Sequence, residues 1–363
     1  FRRVLFRSQM ISSVNFHLWE PCNMRCKFCF ATFQDVKQSI LPKGHLPKEQ
    51  AIEVVRQLAD LGFEKITFAG GEPTLCPWLS ELIAVAKNAG MTTMIVTNGS
   101  KLSDEFLKAN QSKLDWIAVS IDSLNPETNI KTGRAIVGKI PLELDHYETL
   151  VERIKYFGYG LKINTVISSM NYSEDMVDFI RFAQPKRWKV FQVLPMLGQN
   201  DLNIDNFKIS GDQFQTFLNT HKKLQEITNI IPESNTQMKG SYAMVDPAGR
   251  FYDNTNGTHN YSRPILEIGS RLAIQQVNYD FAKYVSRGGI YDWSKPITPP
   301  NKITISGEVA SGKSTIGKLL AEKLGFKFMS IGNRTREFAE RIGLDIVQFQ
   351  KECLTNRHKR NQQ

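Results

Sequence analysis

The chain has 363 residues and a formal net charge of +10 at neutral pH, with 41% hydrophobic and 23% charged residues. That length exceeds one ordinary domain of about 100–200 residues and suits one large domain with a small appendage. The composition is that of a globular protein, and no apolar run approaches the ~18 residues that cross a bilayer, which excludes a disordered or membrane-spanning chain. The positive charge favours an anionic partner but does not indicate a fold.

Short apolar runs alternate with helical patterns from Ser12 to about Leu194, as in βα units around a parallel sheet. Six runs are predicted to be strands: Val14–Leu18, Ile66–Ala69, Met94–Thr97, Trp116–Ile121, Leu161–Ile167 and Trp188–Leu194. Helical spacing predicts helices that end at Gly62, Gly90 and Gly158. Six such units form either a partial barrel or an open doubly wound sheet, and both place a ligand at the carboxyl ends of the strands.

The pattern weakens after the sixth strand. The sequence there predicts a helix around Phe214–Leu224, a polar stretch and a hairpin-like piece over Tyr242–Tyr252. Pro296–Asn301 is predicted to be a stiff linker, and a separate β-loop-helix unit begins at Lys302. The expected organisation is a tail over residues 1–11, a large α/β domain over 12–295, a linker over 296–301 and a small segment over 302–363.

Five cysteines are unevenly distributed along the chain, with three of them in the segment CNMRCKFC and the others, Cys76 and Cys353, alone. An odd, clustered set is not a disulfide framework, and the first residues lack the apolar core of a signal peptide. We therefore expect a cytoplasmic protein with reduced thiols.

The clustered cysteines follow the first predicted strand, with three and two residues between them. Three thiolates can ligate three irons of a [4Fe–4S] cluster and leave the fourth iron open to a substrate. The alternatives are three unrelated thiols or a zinc site, which would need a fourth ligand such as His17 or His45 and more often uses paired C-x2-C hooks. The candidate metal ligands are Cys22, Cys26 and Cys29.

The cysteine spacing, with an aromatic residue before the last cysteine, resembles the signature of the radical S-adenosylmethionine (SAM) enzymes, and GGEP at the end of the second strand matches their second motif. The resemblance implies a partial (β/α)6 barrel in which SAM chelates the open iron and is reductively split into methionine and a 5′-deoxyadenosyl radical. Without the resemblance, the same residues suit plain turns and caps. The residues implied to contact SAM are Phe28, Gly70, Gly71, Glu72, Asn98, Ser120 and Asn164.

Longer segments resemble viperin and its prokaryotic relatives, among them VNFHLWEPCNMRCKFCF, RWKVFQ, PESNTQMKGSY and RGGIYDWSK, spread over roughly Ser12 to Lys295. This resemblance implies conversion of a nucleoside triphosphate to its 3′-deoxy-3′,4′-didehydro analogue, a chain terminator made in antiviral defence. Hydrogen abstraction at ribose C4′ and loss of the 3′-hydroxyl as water would form it. The implied partners are a reductase, flavodoxin or ferredoxin as electron donor and a nucleotide kinase.

Basic residues fall within the predicted strands, where burial makes a lysine costly unless it meets an anion. Because side chains alternate along a strand, three strands each present two polar residues on one face: Lys65 and Thr67, Lys162 and Asn164, and Arg187 and Lys189. From the residues alone, solvent-edge or snorkelling positions are the alternative. By the resemblance, the triphosphate-binding residues are Lys65, Thr67, Arg134, Lys162, Arg187 and Lys189.

The resemblance to viperin implies something more specific about Thr67 and Tyr242. Thr67 stands where animal viperin has asparagine, which puts its base or ribose contacts in doubt. Tyr242 matches a tyrosine near the reacting ribose, as a hydrogen donor or a positioning group; a packed aromatic ring beside Phe251 is the alternative.

The segment GEVASGKS satisfies the Walker A pattern, between an apolar strand and the amphipathic helix predicted over Ile316–Leu324. Backbone amides of such a loop cradle phosphates, while its lysine reaches the outer phosphates and its serine holds magnesium. The segment resembles the start of cytidylate kinase, but Lys302 to Gln363 is far shorter than the roughly 150 residues of such a domain, so we expect no kinase turnover from it. The phosphate-binding residues of this loop are Gly307, Gly312, Lys313 and Ser314.

Three other functions compete with this interpretation. Radical SAM enzymes with auxiliary clusters carry extra cysteines late in the chain, and here none lies between Cys76 and Cys353. A P-loop phosphotransferase or regulator would lack its second half. An RNA-binding protein is supported by net charge alone, with no aromatic-rich or helix-turn-helix signal.

Overall fold

The computed structural model describes residues 11–293 and, beyond them, 305, 312–324, 328, 330, 336, 339–340, 345 and 347–348. The chain divides into two units, Phe1–Ile297 and Thr298–Gln363. The division falls within the predicted linker, which itself lies outside the described residues, as do residues 1–10 of the predicted tail.

The larger unit alternates strands and helices. Its strands are β1 (Ser13–Trp19), β2 (Lys65–Gly70), β3 (Thr92–Thr97), β4 (Trp116–Ser120), β5 (Ala135–Ile136), β6 (Ile140–Pro141), β7 (Gly160–Ile167), β8 (Arg187–Gln192), β9 (Asn229–Glu233), β10 (Ala243–Val245), β11 (Arg250–Asp253) and β12 (Asn260–Pro264). Its α-helices are α1 (Lys48–Leu61), α2 (Leu79–Asn88), α3 (Asp104–Asn110), α4 (Pro126–Thr132), α5 (Leu144–Tyr156), α6 (Val177–Ala183), α7 (Gly211–His221), α8 (Asn235–Met238), α9 (Ile265–Ile268), α10 (Ser270–Ala273) and α11 (Phe281–Ser286). Short π or 3-10 turns lie at Val36–Ile40, Pro73–Leu75, Ile204–Asn206, Lys222–Glu226 and Ile274–Gln276.

Ten strands form one sheet in the order β12-β11-β10-β1-β2-β3-β4-β7-β8-β9. The neighbours from β10 to β9 are parallel, and the pairs β10–β11 and β11–β12 are antiparallel. All six predicted strands are present, as β1, β2, β3, β4, β7 and β8. They are recognisable in the sequence because parallel strands covered by helices are apolar on both faces.

The sheet curves into a partial barrel. In a flat sheet, β1 and β8 would lie about 24 Å apart, since they are five positions apart in the strand order and neighbours are ~4.8 Å apart. Instead, Asn15 of β1 and Lys189 of β8 line the same cavity. The partial (β/α)6 barrel is therefore confirmed, and the open doubly wound alternative was wrong.

Helix ends follow local chemistry. Gly62 ends α1 with a φ of 107°, a left-handed conformation that glycine adopts without steric cost. Ser210 begins α7 in a capping box with Gln213, and the helix predicted around Phe214–Leu224 is α7 followed by a 3-10 turn. The apolar faces of α1, α2 and α5 pack on the outside of the barrel in one continuous core.

In the unit Thr298–Gln363, the bounds of α12 (Lys313–Leu324) are described, and this helix contains the predicted helix over Ile316–Leu324. Gly312 precedes it with a φ of 77°, and Gly307 lies outside the described residues. Among the helices that are described in either unit, none is both long and apolar enough to cross a membrane.

Candidate active site

The three clustered cysteines lie in the loop that leaves β1 at its carboxyl end. The backbone of this loop is held by the segment around α4, because the Arg25 N–H donates to the Gly133 carbonyl at 3.1 Å and the Lys27 N–H donates to the Thr132 carbonyl at 2.9 Å. These two backbone hydrogen bonds lie on either side of the second cysteine and hold the path of the loop.

The GGEP motif, at residues 70–73, packs directly against the start of the cysteine loop after β1. The Gly71 N–H donates to the Trp19 carbonyl at 2.5 Å. A Cβ atom at Gly71 would lie 2.1 Å from the Glu20 carbonyl oxygen and 2.5 Å from that of Pro21, which are impossible separations. Glycine is required here because two backbone segments touch.

Gly71→Ala is expected to displace the cysteine loop and to lower iron uptake during reconstitution by about tenfold or more, because backbone atoms cannot yield as a side chain would. The measurement is iron and sulfide content per chain. Gly211→Ala is the matched control, since nothing lies within 4 Å of its added Cβ. Equal iron content in both variants would contradict the role of this close approach.

Glu72 joins the end of β2 to the end of β3. Its carboxylate is 1% exposed and accepts hydrogen bonds from the Thr74 N–H (3.0 Å), the Thr74 hydroxyl (2.6 Å), the Thr97 hydroxyl (2.7 Å) and the Asn98 N–H (2.7 Å). Burial raises the pKa of Glu72, and these donors oppose the rise. Glu72 thus links the segment after β2 to the end of β3 through hydrogen bonds. Its contact with SAM stays a prediction.

The thiols fit an iron–sulfur cluster better than a zinc ion. Burial raises the pKa of each clustered thiol to about 11, so a bound cation is needed to hold them as thiolates. A cluster binds each thiolate through a different iron, whereas one zinc ion would need a fourth ligand, for which His17 and His45 are the candidates. The histidines are also engaged: His45 stacks on Trp19 at 3.9 Å, and His17 packs against Phe33.

The other residues implied to contact SAM lie around the same strand ends. The Asn98 side chain donates to the Asn23 side chain in the cysteine loop at 2.9 Å. Ser120 of β4 pairs in register with Asn164 of β7. Phe28 is buried against Phe207, with ring centroids 5.9 Å apart. These positions surround the cysteine loop, and contact with SAM stays a prediction.

Arg134 lies apart from the other residues predicted to bind triphosphate. Its Nε donates to Asp122 at 2.6 Å, and its guanidinium carbon lies 5.8 Å from the centroid of the Phe28 ring. It is not among the described residues that line the cavity where the other five lie. Its guanidinium therefore lies beside the cysteine loop, and its contact with phosphate stays a prediction.

A cavity lies inside the barrel. Five barrel strands line it, together with α11 and the segment that follows it. The predicted pairs Lys65 and Thr67, Lys162 and Asn164, and Arg187 and Lys189 all face it, as do Tyr242 and Arg287. The structure thus brings together seven of the predicted residues from distant parts of the sequence.

Five cations face this cavity, and each is at most 6% exposed: Lys65, Lys162, Arg187, Lys189 and Arg287. Burial and the neighbouring guanidinium groups lower the pKa of Lys65 to about 7, and burial lowers that of Lys189 to about 7 against the pull of Glu233. Lys65 and Lys162 form no hydrogen bond or ion pair with any described residue. Such a concentration of buried positive charge is unfavourable unless an anion binds.

Unsatisfied polar atoms also face the cavity. The Thr67 hydroxyl, the Asn164 carbonyl oxygen and the Arg187 Nε are buried without a hydrogen-bond partner among the described residues. Buried polar atoms are rarely left unpaired. A polar ligand in this cavity would satisfy them.

One buried carboxylate organises part of the cation cluster. Glu233, at the end of β9, is fully buried, forms an ion pair with Lys189 and lies 3.5 Å from Arg287. The Tyr242 hydroxyl donates to Glu233 and accepts from the Lys189 ammonium at 2.6 Å, while the Arg287 guanidinium lies 3.6 Å from the centroid of the Tyr242 ring. Although burial raises it, the two cations hold the pKa of Glu233 below its usual range.

Sequence reasoning missed Glu233 and Arg287, although both lie in quoted segments, PESNTQMKGSY and RGGIYDWSK. Each is a charged residue in a segment that resembles viperin, and Glu233 lies in the same segment as Tyr242, so both could have been considered as candidate site residues. Of the predicted P-loop residues, Lys313 and Ser314 begin α12, and Gly312 directly precedes it.

Solved structures share the barrel. Streptococcus suis SuiB bound to S-adenosylmethionine aligns with a TM-score of 0.55 at 16% identity, over 77% of this chain and 68% of SuiB. Native anSMEcpe with bound AdoMet aligns with a TM-score of 0.53 at 16% identity, over 66% of this chain and 73% of that one. The radical SAM superfamily model matches residues 19–184, and the cytidylate kinase-like family model matches residues 302–360. The fold and the cysteine loop are thus those of a radical SAM protein.

Relatives narrow the family. An S-adenosylmethionine-dependent nucleotide dehydratase of Flammeovirga pacifica is 57% identical over 286 residues, 79% of this chain and 97% of that protein. One of Lacinutrix mariniflava is 63% identical over 284 residues, 78% of this chain but 59% of that protein. One of Danio rerio is 37% identical over 294 residues, 78% of this chain and 79% of that protein. The chain belongs to the S-adenosylmethionine-dependent nucleotide dehydratase family, which confirms the predicted resemblance.

Proposed function

We propose that the chain is a radical SAM dehydratase that removes water from the ribose of a nucleoside triphosphate and forms its 3′-deoxy-3′,4′-didehydro analogue. The observation that carries this proposal is the cavity inside the barrel, which five buried cations face. The activity named for the relatives agrees with it.

The dimensions of the barrel suit such a substrate. Lys65 lies at the amino end of β2, and Gly70 lies at the carboxyl end, five residues or about 16 Å away at ~3.3 Å per residue. A triphosphate at Lys65, Lys162 and Arg187 would therefore direct the ribose toward the cysteine loop. Binding energy from the phosphates would place C4′ without any contact to the reacting atoms.

The cofactors would bind at the carboxyl ends of the strands. Cys22, Cys26 and Cys29 would hold a [4Fe–4S] cluster, which together with SAM would supply a 5′-deoxyadenosyl radical on reduction. The protein orients both substrates and excludes water from the barrel. Phe28, the GGE motif and the strand-end residues Asn98, Ser120 and Asn164 would hold SAM.

Tyr242 is assigned as a hydrogen donor or a positioning group beside the ribose. Burial raises the pKa of its hydroxyl well above the usual range, so the hydroxyl stays protonated at neutral pH. Its contacts with Lys189 and Glu233 fix its orientation. Donation of a hydrogen atom would leave a tyrosyl radical, which one electron from the external reductant and a proton from Lys189, whose pKa is about 7, would restore.

Nucleotide binding is expected to take up on the order of one proton at pH 8. Lys65 and Lys189 have pKa values of about 7 in the free cavity, and a bound triphosphate raises them, so affinity falls as pH rises above 7. Isothermal titration in two buffers of different ionisation enthalpy measures the uptake. Binding without proton uptake, or an affinity that rises from pH 7 to 9, would contradict the placement of the phosphates.

The function itself is tested anaerobically. The cluster is reconstituted, reductant and SAM are added, and CTP, UTP, GTP and ATP are offered separately, with products identified by mass spectrometry. We expect one nucleotide to yield 5′-deoxyadenosine together with a product lighter by one water. Background 5′-deoxyadenosine with every nucleotide would overturn the substrate assignment and the roles of the lysines and arginines with it.

Residues 302–363 are proposed to be a nucleotide kinase-like segment, with Gly307, Gly312, Lys313 and Ser314 at its phosphate site. The match of the cytidylate kinase-like model to residues 302–360 supports this. A kinase of that class makes nucleotides with more phosphates, which is the chemistry that supplies the substrate proposed for the barrel.

A further inference from the structure

A small hairpin lies directly against the cysteine loop. Its strands β5 and β6 pair with each other in an antiparallel manner. Ile136 of β5 forms a β-bridge with Met24, and the Val137 N–H donates to the Asn23 carbonyl at 2.8 Å. Met24 and Asn23 lie between the first two cysteines, so the hairpin adjoins the segment that holds the metal ligands.

The hairpin exposes apolar side chains that nothing in the described chain covers. Val137 and Ile140 are each 62% exposed, and Ile130 on the adjacent α4 is 42% exposed. Val137 also has a φ of 54°, a left-handed conformation that branched residues rarely adopt. Strained backbone and clustered apolar exposure both occur preferentially at functional surfaces.

Basic residues surround this apolar centre. Arg25 and Lys27 of the cysteine loop, Lys131 of α4 and Lys139 of the hairpin are all exposed. Glu127, also on α4, is 3.9 Å from Lys131 and opposes part of this charge. An apolar centre with a mainly positive rim is complementary to a partner with an apolar contact point inside an acidic surface.

We propose that Ile130, Lys131, Val137, Lys139 and Ile140, termed here the hairpin surface, dock an acidic flavodoxin that reduces the enzyme. The proposal rests on the proposed function, which requires one electron at the cysteine loop for each turnover. The electron passes from the reduced flavin to the cluster, and the flavin hydroquinone becomes a semiquinone.

Electron transfer slows steeply with distance, and this surface adjoins the metal ligands. A small contact area suits a partner that must leave after each transfer.

The test uses the reconstituted enzyme and compares two double variants of equal net charge. Lys131→Glu/Lys139→Glu reverses charge on the hairpin surface. Lys222→Glu/Lys223→Glu is the control, because these exposed lysines lie on the turn that precedes β9, at the amino ends of the parallel strands, whereas the cysteine loop leaves β1 at its carboxyl end. Binding of oxidised flavodoxin is measured by calorimetry at low salt, and SAM cleavage is measured with either reduced flavodoxin or dithionite.

We expect the hairpin-surface variant to bind flavodoxin about tenfold more weakly than the control and to lose flavodoxin-driven SAM cleavage in proportion, while dithionite-driven cleavage is unchanged. Ile140→Ser is expected to weaken binding without changing its salt dependence. Equal flavodoxin affinity in the two double variants overturns the docking surface. Failure of dithionite to cleave SAM in the unsubstituted enzyme contradicts the proposed function instead, and the binding measurement still decides the docking surface.

Discussion

Replacing Lys162 by methionine is expected to weaken nucleotide binding roughly 100-fold and at the same time to raise the thermal stability of the free enzyme. Lys162 is 6% exposed, and burial, followed by repulsion from Lys189 and Lys65, lowers its pKa well below the usual range. Methionine has similar length and needs no counter-charge. Removal of the buried charge should stabilise the free protein by about 1 kcal/mol. Loss of a buried cation from the phosphate site should cost about 3 kcal/mol, or roughly 100-fold in affinity.

The two effects are separable by scanning the melting temperature with and without nucleotide. Lys162→Met should melt higher than the unsubstituted enzyme in the absence of nucleotide, and it should need roughly 100-fold more triphosphate for the same rise in melting temperature. Lys186→Met is the matched control, because Lys186 is exposed just before β8 and should change neither quantity. A lower melting temperature with normal nucleotide binding would show that Lys162 is a structural residue and would remove the main support for the phosphate site.

The six predicted strands could be recognised because they are buried on both faces and are therefore continuous apolar runs. Those runs did not distinguish a barrel from an open sheet, and only the resemblance to radical SAM enzymes implied the barrel. β9 was missed because Asn229, Pro232 and Glu233 give it no apolar alternation. Glu233 is tolerated inside the barrel because Lys189 of β8 and Arg287 after α11 compensate its charge, and partners so distant in the chain leave no local pattern.

The site residues likewise fall into those that a local sequence pattern predicts and those that depend on tertiary contacts. Alternation along each strand indicates which polar residues share a face, and the structure does place Lys65, Lys162 and Lys189 in one cavity. Arg134 has no such strand context, and it lies beside the cysteine loop with Asp122. The requirement for glycine at position 71 likewise comes from a tertiary contact, because only the structure shows the Glu20 and Pro21 carbonyls against it.

Lys189→Met is expected to have the opposite effect on stability from Lys162→Met, although both remove one cation from the same cavity. Lys189 neutralises Glu233 and donates to Tyr242, so its loss leaves a buried carboxylate with Arg287 at 3.5 Å as its remaining cation. Breaking one side of a buried ion pair typically costs about 3–5 kcal/mol. Urea unfolding of the free enzyme should show a loss of unfolding free energy near the lower end of that range, because Arg287 still offsets part of the charge of Glu233.

The double variant Lys189→Met/Glu233→Gln distinguishes this ion pair from simple packing. Removing both charges should recover most of the lost free energy of unfolding, because the amide of glutamine can still accept from Tyr242. Activity should not recover, since the cavity still lacks a cation and the ammonium that contacts the Tyr242 hydroxyl. Additive losses in the double variant would show that Lys189 and Glu233 act independently, and recovered activity would show that Lys189 serves Glu233 alone and takes no part in binding the nucleotide.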